Sequence, residues 1–345
     1  MSAVVELTRQ LVAVPSVSGE EQAIAGLVER RLRTQVPAMT LRRIGNTVVG
    51  RTDRGCAQRV LLAGHLDTVP DSGNCTDDVP HQVSGLGAVD MKGGLAVLLL
   101  AAEGRCAYDL TVVCYDREET GSRGSGMHVL AEQHRDLLAA DLAVVLEPTD
   151  GWLEAGCQGN LVVELAFAGR RAHTARPWTG DNAIHRAAPA LSRLAAWQPR
   201  PVTLDGLAYR QAFSVVGVTG GVQGNVVPDR CTVKVNYRHA PSLDSGAALA
   251  TVTELAPEAD EVRVVLDSPA APPRLDTPLL QRLRADLPVR PKLGWTDVGR
   301  FAQLGIPAVN FGPGDPERAH MLGEVVTRAA LERCLDILSG FLGGG

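Results

Sequence analysis

Aromatic side chains are scarce: Phe, Trp and Tyr together make up 4% of the 345 residues. Trp152, Trp178, Trp197 and Trp295 stand too far apart in the chain to form a base-stacking platform, and packing accounts for them. Positive charge is not in excess either. Lys and Arg total 34 against 39 Asp and Glu, a formal charge of −5, which leaves nothing to drive nonspecific phosphate binding. Nucleic acid is therefore not an expected partner. The longest apolar run, Leu95 to Ala102, falls well short of the roughly 20 residues that cross a bilayer, so no membrane partner is expected. The first residues carry Glu6 and Arg9 inside their apolar pattern and show neither the basic stretch nor the cleavage site of a secretory signal, which makes the cytoplasm the default location. No C-x-x-C pair occurs among Cys56, Cys75, Cys106, Cys114, Cys157, Cys231 and Cys334. An odd, scattered set of this kind reads as reduced, mostly buried thiols rather than a disulfide framework.

What is present is an ordinary globular composition, 45% hydrophobic and 21% charged. At about 150 residues per domain the length predicts two domains. Apolar runs bounded by turn residues predict buried strands at 59–63, 110–115, 142–146 and 308–311. Helical patterns lie between and around them at 20–33, 91–103, 127–134 and 324–342, so the ends of the chain read as an α/β layer structure. The middle reads differently. Strand 161–168, helix 182–197, strands 213–219 and 231–237, helix 243–255 and strand 261–266 follow one another in the βαββαβ order of a ferredoxin-like split unit. The Pro-rich stretch Ser268-Pro269-Ala270-Ala271-Pro272-Pro273 then reads as a hinge, after which the α/β pattern resumes. A smaller α+β domain at 159–273 is thus expected inside a larger one formed by 1–158 and 274–345.

The chemistry-bearing residues collect at predicted strand ends. The first strand runs into Gly64-His65-Leu66-Asp67, an imidazole and a carboxylate two residues apart, a spacing that lets the carboxylate fix the ring's tautomer. Asp90 precedes a long apolar helix and, taken alone, reads as a helix cap. The next strand, however, ends in Asp116-Arg117-Glu118-Glu119, and the one after it in Leu146-Glu147. Acidic groups so placed share a sheet edge with His65, the edge where α/β proteins bind ligands. Adjacent glutamates there repel unless a cation or a raised pKa relieves them, and extended backbone points them opposite ways. Separate duties follow: one coordinates metal, the other handles protons. The loop after the last strand carries His320, which completes a set of two imidazoles and three carboxylates: His65, Asp90, Glu119, Glu147 and His320. Such donors suit two borderline divalent ions, zinc first and cobalt as substitute, with Asp90 able to bridge them.

The order His-x-Asp, Asp, Glu-Glu, Glu, His resembles that of the dizinc aminoacylase and carboxypeptidase superfamily over nearly the whole chain. The resemblance implies an α/β/α zinc-exopeptidase-like catalytic domain with an inserted ferredoxin-like lid and dimerisation domain. It makes Asp90 the metal bridge, His65 and Glu147 ligands of one ion, Glu119 and His320 ligands of the other, Glu118 the general base and Asp67 the support of His65. Within that superfamily three stretches are similar to the succinyl-diaminopimelate desuccinylase family: Gly294-Trp295-Thr296-Asp297-Val298-Gly299-Arg300-Phe301, Asn225-Val226-Val227-Pro228, and the run from Pro307 to Pro316. Ala172-His173-Thr174 matches a lid motif whose histidine, in the family, reaches the scissile carbonyl of the other subunit. A homodimer and a small N-acyl amino-acid substrate are implied. Asn225, Thr296, Arg238 and Arg300 become the substrate-contact candidates, the two guanidinium forks being suited to a carboxylate. The chain departs from the family pattern at Met321-Leu322-Gly323-Glu324, where an acidic pair is expected, and at Gly156-Cys157-Gln158-Gly159-Asn160, which lacks arginine.

Two alternatives to desuccinylation stay open on sequence grounds. One is a deacylase of another N-acyl amino acid, or a dipeptidase; the other is a noncatalytic metal-binding protein. A hydride-transfer enzyme is a poor fit, since no G-x-G-x-x-G follows the early strand and Gly85-Leu86-Gly87 precedes an Asp where phosphate would sit. His81, His128, His134, His185 and His239 match no motif and read as surface or core residues.

Overall fold

The continuous apolar runs form strands buried on both faces. In the computed structural model, which describes residues 2–70, 79, 81–121, 124–285 and 287–344, Asp109–Tyr115, Leu142–Val145 and Ala308–Asn310 are buried at every position. Arg59–His65 pairs in parallel with the first two of these, and Ala308–Asn310 extends the parallel set beside Leu142–Val145. A parallel core of this kind needs helices against it, which is why its strands lack polar alternation. Antiparallel strands flank it, giving an eight-stranded sheet among the described residues in the order Thr40–Ile44, Thr47–Arg51, Asp109–Tyr115, Arg59–His65, Leu142–Val145, Ala308–Asn310, Leu153–Ala155 and Val289–Pro291. The helix Gly93–Glu103 is apolar on nearly every side and packs against Ala3–Val12 and Arg328–Leu342.

Two glycines set how closely chain segments approach the strand end that carries Glu147. A Cβ on Gly94 would sit 2.1 Å from the Leu146 carbonyl oxygen, and one on Gly312 would sit 2.4 Å from that of Glu147. Only glycine allows either crossing.

The chain divides into two compact units: Met1–Ala155 with Arg274–Arg290 and Arg300–Gly345, and Gly156–Pro273 with Pro291–Gly299. The second holds an antiparallel sheet in the order Ala212–Gly220, Arg230–His239, Gly159–Ala168, Glu261–Ser268. In chain order this is second, third, first, fourth, the ferredoxin-like arrangement. Arg230–His239 alternates in burial, and its inward residues Cys231, Val233, Val235 and Tyr237 pack with alanines and leucines of the helices Ala183–Ala196 and Ser245–Leu255. A hairpin, Pro201–Leu204 with Leu207–Arg210, interrupts the expected order and buries Tyr209.

Three details depart from the expected boundaries. Pro291–Gly299 groups with the smaller unit, because Gln158 N donates to Lys292 O and Trp295 Nε1 donates to Pro269 O. The last helix begins at Arg328 rather than at residue 324. Val325–Thr327 is a short strand paired with Gln82–Ser84, and the Thr327 hydroxyl accepts from Ala330 N to start the helix. Within the proline-rich stretch, Ala271 exchanges backbone hydrogen bonds with Cys157. Cys114, Cys157, Cys231 and Cys334 are buried free thiols, and Cys56 and Cys106 are partly exposed; Cys75 lies outside the described residues. No helix among the described residues is long and apolar enough to cross a membrane.

Candidate metal centre

Each parallel strand delivers one group to the same carboxyl edge. His65 is the last residue of its strand, Glu147 follows Leu142–Val145 by two residues, Glu119 lies in the turn after Asp109–Tyr115, and His320 in the loop after Ala308–Asn310. Asp90 enters from the segment ahead of helix Gly93–Glu103, where the Asp90–Met91 peptide is cis. These side chains assemble into two groups, His65–Asp90–Glu147 and Asp90–Glu119–His320, whose donor atoms lie within 4.8 Å of one another. Asp90 belongs to both. His65 Nε2 is 2.9 Å from Asp90 Oδ1 and 3.9 Å from Glu147 Oε1, while His320 Nε2 is 2.9 Å from Glu119 Oε1 and 3.4 Å from Asp90 Oδ2.

The electrostatics ask for positive charge at both places. Burial alone would lower the pKa of His65, but hydrogen bonding to Asp67 and Asp90 outweighs it and raises the value well above the ordinary 6.5. Hydrogen bonds to Asp90 and Glu119 push His320 up to about 10. Burial works against ionisation of Asp90, yet its hydrogen bonds to His320 and His65 hold it well below the usual carboxylate range. Protonated imidazoles on either side thus favour the charged form of Asp90. Divalent ions can replace those protons, and the mixed nitrogen and oxygen donor set fits them.

Asp67 meets His65 and a second element as well. His65 Nδ1 donates to the backbone oxygen of Asp67 at 2.9 Å, while the nearer carboxylate oxygen is 3.5 Å away. The backbone contact already fixes the tautomer, leaving Nε2 facing Asp90. The Asp67 carboxylate also accepts from Glu118 N at 3.0 Å, Glu119 N at 3.1 Å and the Ser18 hydroxyl at 2.6 Å. It therefore holds the turn that presents both glutamates. Only Glu119 of that pair joins a donor group.

The remaining expected residues lie elsewhere. His173 is exposed in the smaller unit, where it bridges to Val226 and its Nδ1 accepts from Ala175 N at 3.0 Å. Asn225 is beside it, its carbonyl accepting from Thr174 N. Arg238 is half-buried on Arg230–His239, and burial lowers its pKa. Thr296 is buried, and no hydrogen-bond partner of its hydroxyl is found among the described residues. Arg300, in the larger unit, has its Nη1 3.0 Å from His128 Nδ1, so His128 has a partner that no motif announced.

Sequence reasoning also missed the role of Glu324, four residues after His320. Its buried carboxylate accepts backbone hydrogen bonds from Gly87, Val89 and Asp90. Beside it, Lys92 is buried, donates to Val14 O at 2.8 Å and has its pKa lowered to about 8 by burial. The only signal for Glu324 was its spacing from His320.

Overlapping donor groups on a strand edge are what metal-assisted hydrolysis of an amide requires. The chain belongs to the peptidase family M20/M25/M40, whose profile matches residues 61–343, and so to the amide hydrolases. It is 42% identical to a Corynebacterium glutamicum protein named succinyl-diaminopimelate desuccinylase, over 96% of this chain and 93% of that one. A Mycobacterium tuberculosis protein carrying the same name provisionally is 47% identical, over 99% of this chain and 98% of that one. Among solved structures, aminopeptidase PepT from Bacillus cereus shares the fold with a TM-score of 0.81 at 18% identity, covering 99% of this chain and 97% of that one.

Proposed function

We propose that this chain is a two-zinc amidohydrolase that removes the succinyl group from N-succinyl-diaminopimelate. The observation that carries the reading is the assembly of His65, Asp90, Glu119, Glu147 and His320 into two groups sharing one carboxylate. The substrate rests on the full-length relatives named for that activity. In this reading His65 and Glu147 hold one ion, Glu119 and His320 the other, and Asp90 both; cobalt would substitute for zinc. Bound there, the ions would supply Lewis acidity.

The chain's own residues do the rest. Glu118 takes a proton from the attacking water and returns it to the leaving amine. Its backbone bond to Asp67 keeps it in register for that transfer. His173 accepts a hydrogen bond at Nδ1, so its neutral ring carries the proton on Nε2, the form that donates to a developing oxyanion. We assign it to the site of the partner in a homodimer. Support comes from the edge strand Ala212–Gly220, which leaves Val215, Val216 and Val218 exposed beside unpaired backbone groups. Arg238, Asn225, Thr296 and Arg300 are assigned to substrate. Of the two arginines Arg238 is the better carboxylate grip, since no acidic partner of it is found among the described residues whereas Arg300 is engaged with His128. The reading places the protein in the cytoplasm, in diaminopimelate and lysine biosynthesis.

The test is hydrolysis of succinyl-diaminopimelate, N-acetyl amino acids and dipeptides by zinc-loaded protein. The expected result is kcat/KM at least about 100-fold higher for the succinyl substrate, the discrimination a buried charge contact supports. Faster cleavage of dipeptides or acetyl substrates would overturn the substrate assignment. Zinc-loaded protein that turns over none of them would overturn the enzyme.

A further inference from the structure

The segment after His320 turns back into the larger unit and places Glu324 beneath the loop that leads to Asp90. Glu324 Oε1 accepts from Val89 N at 2.7 Å and Asp90 N at 2.8 Å, and Oε2 accepts from Gly87 N at 3.0 Å. Its own backbone oxygen accepts from Gly85 N at 3.0 Å. Four backbone donors between residues 85 and 90 thus end on one residue. Next to them, Val325–Thr327 pairs with Gln82–Ser84, so the loop is tied to the same segment at both ends.

We propose that Glu324 is the positioning residue for the shared carboxylate: it fixes the backbone of Asp90 so that one side chain serves both donor groups. This rests on the two-metal reading above. The chemistry favours a carboxylate at this place over any other side chain. Three N–H groups converge on two oxygens, and an ionised carboxylate is the side chain that offers acceptors at both positions with no donor among them. Glutamine in its place would turn an N–H toward an N–H at one of the two positions. The carboxylate also lies where an unsatisfied buried amide would otherwise have no water to bond.

The arrangement has a further consequence for how the two ions would bind. His320 is four residues ahead of Glu324, so the segment that supplies a donor to one group also braces the donor common to both. A fault in the brace therefore acts on both ions at once. Loss of a terminal donor such as Glu147 acts on one. Lys92, whose charge lies close to Glu324 and whose ammonium is held by Val14 O, helps to balance the buried carboxylate.

The experiment compares wild type, E324Q and E147A. Zinc dissociation constants are measured against a chelating indicator, and the absorption spectrum of the cobalt-loaded protein is recorded. Circular dichroism of each metal-free form reports the fold. The expected result is that folded E324Q loses affinity at both sites by about 10–100-fold, the usual cost of removing a residue that orients a ligand. Its cobalt bands shift at both ions, whereas E147A weakens one. E324Q that is folded and holds both ions with wild-type affinity overturns the inference. If E324Q does not fold, E324D, which keeps the charge but is one methylene short of the three N–H groups, takes its place under the same criteria. Wild-type protein that fails to hold two ions overturns the two-metal reading and the inference with it, and is told apart by being seen before any substitution.

Discussion

Zinc loading of the metal-free protein should release about two protons per chain at pH 7, because a coordinating imidazole must be neutral. The number follows from the site. His320 is pushed up to about 10 by Asp90 and Glu119, so at pH 7 it is almost wholly protonated without metal. His65 is raised well above 6.5 by Asp67 and Asp90 against the effect of burial, a shift that favours its protonated form too. Asp90 is held below the usual carboxylate range and has no proton to give. Protons therefore compete with metal more strongly as pH falls. With two released, the product of the two binding constants should rise about 100-fold per pH unit from pH 6 to 8. The sign for the metal-free fold is the opposite. A histidine whose folded pKa is raised stabilises the fold fully below about 6.5 and loses that contribution as pH rises through its folded value, about 10 for His320. Calorimetric titration with zinc in buffers of different ionisation heat measures the protons directly. H320A should release about one fewer. A release near zero for wild type would mean that both imidazoles are neutral in the metal-free protein and would refute the reasoning.

Four further outcomes are expected. E118Q should keep both ions by elemental analysis while activity falls about 100-fold or more, as loss of proton transfer without loss of a donor requires; loss of zinc would make Glu118 a ligand. D67A frees the amides of Glu118 and Glu119, so kcat should drop about 10–100-fold with KM little changed, and an unchanged kcat would count against the turn-holding role. Mixing inactive H173A with inactive E118Q under subunit exchange should restore part of the activity, since one site in each mixed dimer has both groups; no recovery despite exchange would leave His173 acting within its own chain. G94A sets a Cβ 2.1 Å from the Leu146 carbonyl oxygen and should cost about 3 kcal/mol or more by chemical denaturation, with a near-neutral result showing that the helix can shift.

Strand ends and their polar residues were legible because both are local. A run such as Val60-Leu61-Leu62-Ala63 can be satisfied only as a strand buried on both faces, and the chain must then turn at His65. The same reasoning located the Glu118–Glu119 pair and Glu147, while the choice of Glu119 and the part of His320 came from the family resemblance; the βαββαβ order of the smaller unit needed no more than period and turn residues. What the sequence alone left undecided is which polar group each side chain meets. Asp67 stands two residues from His65, and its carboxylate also meets the amides of Glu118 and Glu119, which packing brings within reach. Arg300 meets His128 across 172 positions of chain, and Glu324 meets Gly87 across 237. Hydropathy patterns carry burial, which depends on composition over a few residues. Hydrogen-bond partners depend on which strand ends lie side by side, and that order is decided only when the sheet closes.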